Sequence, residues 1–500
     1  MKILIASIAL FAPSLAVAQT TEIVVTGAAL PDAKSDAVYD IITIDRARIT
    51  ATASGRIEDI LKDVAGLQQF RRTDARSANA TSQGATLRGL GGNASSRALL
   101  ILDGVPQSDP FGGWITWPAF SPERLGQIRV TRGGGSGAFG SGALAGTIDM
   151  SSIGPQDSSS ASIAYGSRNA VEVNGVLTAT LGQGHGFLVA SYARGDGFIP
   201  IARGQRGTAD QAAPYEQVSL AGRAVIAFDT ATEIQASALA FTDRRTRGTI
   251  LSGNGGDGAD ASLRVVHTGD WGWSALSYIQ ARKFQSRFVS VNALRNAVTQ
   301  TVDQYNVPST GIGARFEVRP PVGDTLELRL GGDWRRTAGE TRELFTYVAG
   351  NPTRGRLGGG KSETLGAFAE LTATLGALTL TGSGRIDHWS IKNGHLQERT
   401  LNTGALLRND LFINRNGNEP TGRAGIAYQI GPITLRSAAY IGWRLPTLNE
   451  LYRPFRVGTD ATAANAALSP ERMKGVEVGF VLAISDHATL TATAFTNRLE

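Results

Sequence analysis

From about Ser158 onward, side-chain polarity changes at every second residue. No other feature constrains the fold as much, because a strand turns successive side chains to opposite faces. Val218, Leu220, Gly222, Ala224, Ile226 and Phe228 form one face, and Gln217, Ser219, Ala221 and Arg223 form the other. Leu326, Leu328, Leu330, Gly332 and Trp334 alternate in the same way with Thr325, Glu327, Arg329, Gly331, Asp333 and Arg335. Similar stripes run through Ile312–Val318, Leu365–Leu375, Leu378–His388, Ile433–Ile441 and Val476–Ile484. The pattern predicts roughly fifteen strands of about ten residues, the length a tilted membrane strand needs.

The connections alternate between short and long. Tight turns are expected near Gly182–Gly184, Asp229–Ala231, Pro320–Gly323, Gly376, Gly431-Pro432 and Ser485-Asp486. Long loops are expected near Gly195–Pro214, Arg244–Asp260, Val289–Pro308, Ala338–Ser362, Ser390–Gly417 and Gly442–Arg472. A soluble sandwich or propeller has no reason to sort its connections by length. An outer-membrane barrel does, with short periplasmic turns and long extracellular loops. Bulk composition agrees. The chain is 42% hydrophobic and 18% charged over 500 residues, too apolar for disorder. Its mean hydropathy of -0.08 is too low for a helical membrane protein. Cysteine is absent, which excludes disulfides, thiolate metal sites and a cysteine nucleophile. The net charge of +6 comes without a short Lys/Arg-rich run, so nucleic acid is not an expected partner.

The first residues read as a secretory signal. Lys2 is followed by an apolar stretch, Ile3–Leu15, and by Ala16-Val17-Ala18, a small-x-small cleavage site. Residues 1–18 are therefore a signal peptide, and residues 19–32 a short linker. Within that linker, Glu22-Ile23-Val24-Val25-Thr26 is a lone β-prone peptide, suited to joining a sheet or adding to another protein's sheet edge. Residues 33–152 read as a compact α/β unit. Ile57, Ile60, Leu61 and Val64 have helical spacing, with Gly66 as a stop. Ala98–Leu102, Gln127–Thr131 and Gly146–Met150 read as strands, and a linker near Ser158–Ser160 leads to the barrel at 158–500.

In this order the chain resembles the TonB-dependent outer-membrane receptors. Glu22–Thr26 resembles their TonB box. Ala65-Gly66-Leu67, Leu87-Arg88-Gly89-Leu90-Gly91, Leu102-Asp103-Gly104-Val105 and Arg132-Gly133 through Gly146-Thr147-Ile148 resemble their plug signature. Arg444-Leu445-Pro446-Thr447-Leu448-Asn449-Glu450-Leu451-Tyr452 and Leu468-Ser469-Pro470-Glu471, with Glu477 and Gly479, resemble their late extracellular loop and the strand after it. The chain departs from the family pattern at Ala145-Gly146-Thr147-Ile148-Asp149-Met150, where strand packing is expected to differ.

The resemblance implies a mainly β protein, an antiparallel transmembrane β-barrel of the 22-stranded type with an α/β plug in its lumen. About fifteen strands fall short of about twenty-two, and plugged transporters are of the larger kind. The barrel is therefore expected to be incomplete at its C-terminus, with a smaller closed barrel of about sixteen strands as the alternative. The implied function is TonB-dependent import of a scarce nutrient across the outer membrane of a Gram-negative bacterium, a ferric siderophore first. Cobalamin or glycan import, or a non-energised porin or adhesin, are the alternatives. The implied partners are TonB with its inner-membrane energising complex, outer-membrane lipid and a small-molecule or metal-chelate ligand.

Two plug segments are expected to face that ligand. One holds Arg71, Arg72 and Arg76, followed by Asn79. The other holds Gln107, Asp109, Phe111, Trp114 and Trp117. Basic loops and aromatic rings suit an anionic or aromatic chelate. The competing readings are a solvated charged loop and aromatic packing against the barrel wall.

Enzyme chemistry has no support. Gly135-Ser136-Gly137-Ala138-Phe139-Gly140 fits G-x-G-x-x-G, but no amphipathic helix follows, and Ser160 stands where an acidic residue is wanted. Tight glycine turns inside a packed plug are the expected reason for it. None of the five His forms H-E-x-x-H or another close ligand pair. Asp387 and His388 fall on opposite strand faces and cannot form a dyad. No catalytic residue, metal ligand or cofactor is expected.

Overall fold

The computed structural model describes residues 27–70, 75–76, 78–91, 94–457, 460–485 and 487–500. Residues 1–18, expected as a signal peptide, and Glu22–Thr26, Arg71 and Arg72 lie outside the described residues. Two sheets dominate. A small one, of Asp40–Asp45, Leu125–Arg132, Gly146–Ser152, Leu99–Leu102 and Val105–Pro106 in that spatial order, belongs to the plug. A large one begins at Ser160–Gly166 and ends at Ala488–Leu499, each strand antiparallel to the next in sequence. Fifteen strands lie on this path, with Leu406–Leu411 paired to its side. Among the described residues, no pairing joins the first strand to the last.

Short elements of the plug follow local sequence signals. Ile57–Ile60 is a short helix continued by a tighter turn over Leu61–Asp63, and Gly66 follows at φ +83°. Leu99–Leu102 is fully buried because it is central, with Gly146–Ser152 parallel on one side. Asp103 and Gly104, both at positive φ, turn it into Val105–Pro106, the two-residue hairpin chemistry of Asp-Gly. The departure at Asp149 leaves the strand in place, since Gly146–Ser152 still pairs on both edges.

The large sheet is inside out relative to a soluble protein. Val218, Leu220, Ile226 and Phe228 are exposed, at 38–74% of their surface, whereas Gln217, Ser219 and Arg223 are buried. Likewise Leu326 and Leu330 face outward while Arg329 and Asp333 are buried. A surface of leucine, valine and isoleucine around a polar interior is stable only against hydrocarbon. No helix among the described residues is long and apolar enough to cross a membrane. The strands do so instead.

The strands are longer than the sequence led us to expect. Val298–Arg319, Leu326–Val348, Asn351–Leu375 and Leu378–Thr400 run 22–25 residues. The stretches expected as loops near 289–308, 338–362 and 390–417 are therefore mostly β-hairpin with short tips. Beyond the bilayer both faces of a strand meet water or polar groups, so the period-two signal fades although the ladder of backbone hydrogen bonds continues. The segments 196–214 and 445–470 do remain largely loop.

Candidate functional site

The plug is held in the lumen by buried polar contacts at sequence-distant positions. Arg88, at φ 55° beside Gly89, points into the wall. Its Nη1 donates to Glu477 Oε2 and to the Tyr440 hydroxyl, both at 2.6 Å, and its Nη2 to Asp40 Oδ2 at 3.1 Å. Arg132 Nη2 donates to Asp40 Oδ1 at 2.7 Å, and Arg436 of the wall pairs with both Asp40 and Glu477. Burial pushes Asp40 up, but Arg436, Arg132 and Arg88 together hold its carboxyl below the usual range. A Cβ at Gly133 would lie 2.5 Å from Arg88 Nη1 and 2.6 Å from the Tyr440 oxygen. Glycine is required there by close approach as well as by its φ of +76°.

Asp103 is the second anchor. It accepts from Ser152 N and Arg223 Nη1 at 3.0 Å and lies 3.5 Å from Arg124 Nη2. Burial disfavours its charge, but Arg223, Arg124 and Arg264 outweigh it and hold the carboxyl at about 2. A Cβ at Gly104 would lie 3.1 Å from Leu276.

The late loop motif closes over the plug from the wall side. Leu448–Tyr452 is a one-turn helix whose N-terminus carries a capping box between Thr447 and Glu450. Arg444 Nη1 donates to Glu450 Oε2 at 2.9 Å, and its Nε to Glu471 Oε2 at 3.1 Å. The plug answers with Ser95 Oγ to Glu450 Oε1 at 2.8 Å and Arg97 to Glu471 at 3.0 Å. Pro446, buried, stands between Arg444 and the helix, and Asn449 N donates to the Phe111 carbonyl at 3.0 Å. Pro470 immediately precedes Glu471 at the foot of the next strand.

The second ligand-facing segment needs correction. Phe111, Trp114 and Trp117 are 0–2% exposed. Phe111 and Trp114 pack with Phe284, Trp389, Trp443, Leu451 and Tyr452 where plug, wall and loop helix meet. Trp117 belongs to the plug core. Rings of this size gain more from that burial than from an open face. Gln107 is buried, and its side chain donates to Val105 O at 3.3 Å. Asp109 accepts from the backbone N–H of Phe111 and Gly112 at 2.9 Å, which makes it the pin of its own turn. Burial nevertheless pushes it up to about 6.

In the first segment, Arg76 is committed to the wall. It bonds Glu172 at 2.5 Å and lies over the Tyr215 ring at 4.8 Å. Asn79 caps the short turn Ala80–Ser82. Nearby, toward the long-hairpin end, is a cavity of about 710 Å³ lined by Tyr215, Arg245, Asn254 and Ser286 among others. Arg245 fixes the plug loop through the Ala78 carbonyl at 3.2 Å. The sequence did not single out these wall residues, nor Asp40, Arg436 and Tyr440. Each is one polar residue in an alternating strand and looks like its neighbours.

The glycine-rich stretch has no nucleotide geometry. It contains only a short turn at Gly137–Phe139, and a Cβ at Gly135 would meet Ile441 O at 2.5 Å. Asp387 is buried while His388 is exposed and 3.0 Å from Asn418, so the two do diverge. Among the described residues no cluster of His, Asp and Glu could hold a metal ion.

Comparison with known proteins agrees with this architecture. Residues 33–147 match the TonB-dependent receptor plug domain, and residues 192–500 match the TonB-dependent receptor-like β-barrel. The chain belongs to the TonB-dependent receptors, a family of outer-membrane transport proteins. It is similar in fold to the ferric yersiniabactin uptake receptor FyuA from Yersinia pestis, at 16% identity and a TM-score of 0.70 over 92% of this chain and 72% of that one. The ferric-catecholate import receptor Fiu from E. coli K12 gives 15% and 0.71 over 95% and 77%. The copper transporter OprC gives 18% and 0.73 over 92% and 73%.

Proposed function

We propose that the chain is an energised importer that carries a ferric siderophore through the outer membrane, with Glu22–Thr26 as the segment captured by TonB. The observation that carries this reading is the plug itself, seated in the lumen by Arg88, Asp40, Arg132, Arg436 and Glu477. A buried ion network is costly to break one partner at a time, and the displaced groups are restored in full when the plug returns. Such a seat opens under applied work and not by thermal leakage. TonB, driven by the inner-membrane proton gradient and adding the box as a strand to its own sheet, supplies that work.

The substrate class rests on size and charge. The 710 Å³ cavity falls in the range of sites for drug-sized ligands, and its lining includes the exposed Arg194 and Arg287 guanidiniums and the Tyr215 ring. These suit an anionic, aromatic-bearing chelate. FyuA and Fiu take up ferric chelates, and OprC takes up copper. The signal peptide at 1–18 directs the chain to the periplasm for insertion. No step calls for a catalytic residue or a resident cofactor. The test is growth rescue of a host lacking its own receptors, starved in separate arms of iron, copper or cobalamin, and supplied respectively with ferric siderophores or haem, with copper, or with cobalamin. Rescue by cobalamin or copper alone would overturn the siderophore assignment. Rescue independent of TonB would overturn the transport class.

A further inference from the structure

Beside the tight-turn end of the wall lies a second cavity of about 630 Å³, between the plug and the strands that carry Arg223, Arg264, Arg315 and Arg329. Arginines outnumber carboxylates in its lining. The first described residues, Gly27–Pro31, cross it as a strap. Arg223 Nη2 donates to the Gly27 carbonyl at 2.5 Å, and Arg264 Nη2 points at the same oxygen from 3.4 Å. Gln235 Nε2 donates to the Ala28 carbonyl at 2.7 Å, and Arg319 Nη1 to the Pro31 carbonyl at 2.7 Å. Gln235 Oε1 also ties the two arginines together, at 2.8 Å from Arg223 and 2.6 Å from Arg264.

Gly27 is fitted to this place. Its φ is +68°, and a Cβ would lie 3.1 Å from Val225 and 3.2 Å from His185. Its N–H donates to Glu233 Oε2 at 3.3 Å. Arg223, Arg264 and Gln235 are all buried, and Arg223 Nε has no hydrogen-bond partner among the described residues. Arg223 Nη1 is paired with Asp103, but the oxygen that Arg223 Nη2 and Arg264 Nη2 share is only a neutral carbonyl. Planar guanidinium donors match a carboxylate or phosphate far better, and they do so most strongly when shielded from water.

We propose that Arg223, Arg264 and Gln235 form an oxyanion-binding subsite that the Gly27 and Ala28 carbonyls mask in the closed state. Withdrawal of the strap toward the periplasm frees the donors, and a carboxylate or phosphate group of the cargo takes the place of the peptide oxygens. The subsite is then a way-station below the plug. Asp103 and Asp149, on the plug side of the same cavity, supply the opposing charge when no cargo is present. The cargo and the way-station role rest on the transport reading, whereas anion binding itself is measured without TonB.

The purified chain and a variant lacking residues 19–32 are titrated calorimetrically with citrate and, in parallel, inorganic phosphate. The two probes tell which oxyanion class is taken. Tighter binding is expected in the strap-deleted variant, falling at least about tenfold when Arg264→Gln is added. Equal affinity with and without the strap, or indifference to Arg264→Gln, overturns the proposal. A second measurement keeps the strap. Hydrogen–deuterium exchange of the Gly27–Leu30 amides is expected to speed up with citrate, and to lose that dependence in Arg264→Gln. Exchange unchanged by either anion overturns the subsite even if the deletion variant fails to fold.

Discussion

Arg88 and Glu477, 389 positions apart in the chain, meet at 2.6 Å with less than about a twentieth of either side chain exposed. One belongs to the plug and the other to a late barrel strand, so the bond ties together segments from near the two ends of the chain. Asp40, Arg132, Arg436 and Tyr440 complete it, and the Phe495 ring lies 4.6 Å from the Arg88 guanidinium.

Removing one member should therefore cost more than removing a pair. Glu477→Ala leaves Arg88 and Arg436 facing Asp40 alone, and should destabilise plug docking by about 3–5 kcal/mol. Arg88→Met with Glu477→Met should recover part of that loss. Thermal unfolding in detergent, with protease accessibility of the plug, reads both. A loss in the double variant equal to the sum of the two single-variant losses would show that the two side chains are not coupled.

Val24→Pro or Val25→Pro should leave ligand binding intact and abolish uptake. Proline removes a ladder donor and fixes φ, so the peptide can no longer add as a strand. Transport of labelled ligand, beside equilibrium binding to whole cells, separates the two. Normal uptake in both variants would remove the box assignment.

Changing Arg71, Arg72 and Arg76 together to Gln should weaken an anionic ligand about tenfold at low salt, with the loss shrinking as salt rises. The Arg76 share is indirect, because that side chain anchors the loop to Glu172 and Tyr215. Glu172→Gln should reproduce it alone. Unchanged binding at low salt in the triple variant would make the arginines merely solvated.

Asp109 gives a pH signature. Its folded value of about 6 lies above the unfolded one, so the neutral form fits the fold better. The stabilisation is full below the unfolded value near 4 and is lost as pH rises through about 6. Asp109→Asn keeps an acceptor for Phe111 and Gly112 without the charge. It should gain about 1–3 kcal/mol over the parent at pH 8 and nothing at pH 4. Melting temperatures at the two values check this, and a pH-independent difference would contradict it.

Local order in this chain was open to reading because it obeys local rules. Gln217, Ser219 and Arg223 alternate with Val218 and Leu220, and one register assigns all of them to faces. Asp103-Gly104 specifies its hairpin by dihedral preference alone. What could not be read is decided across the lumen. Nothing adjacent to Asp40 marks it as the centre of three arginines. Trp114 in a glycine-rich loop has the composition of an exposed platform, yet Phe284, in a distant strand, covers it at 5.1 Å. The length of the hairpins escaped for a different reason. Above the bilayer, hydrogen bonds hold the strands without any demand on side-chain polarity.

Those hairpins change what capture of a ligand involves. At about 3.3 Å per residue, a strand such as Asn351–Leu375 is about 80 Å long, against a hydrocarbon thickness of about 30 Å. Much of the outer mouth is thus a stiff collar of paired backbone instead of a fringe of loose loops. A wall already ordered has little conformational entropy left to lose when a ligand arrives. Admission at this rim should then be governed by shape and charge, as at a fixed aperture.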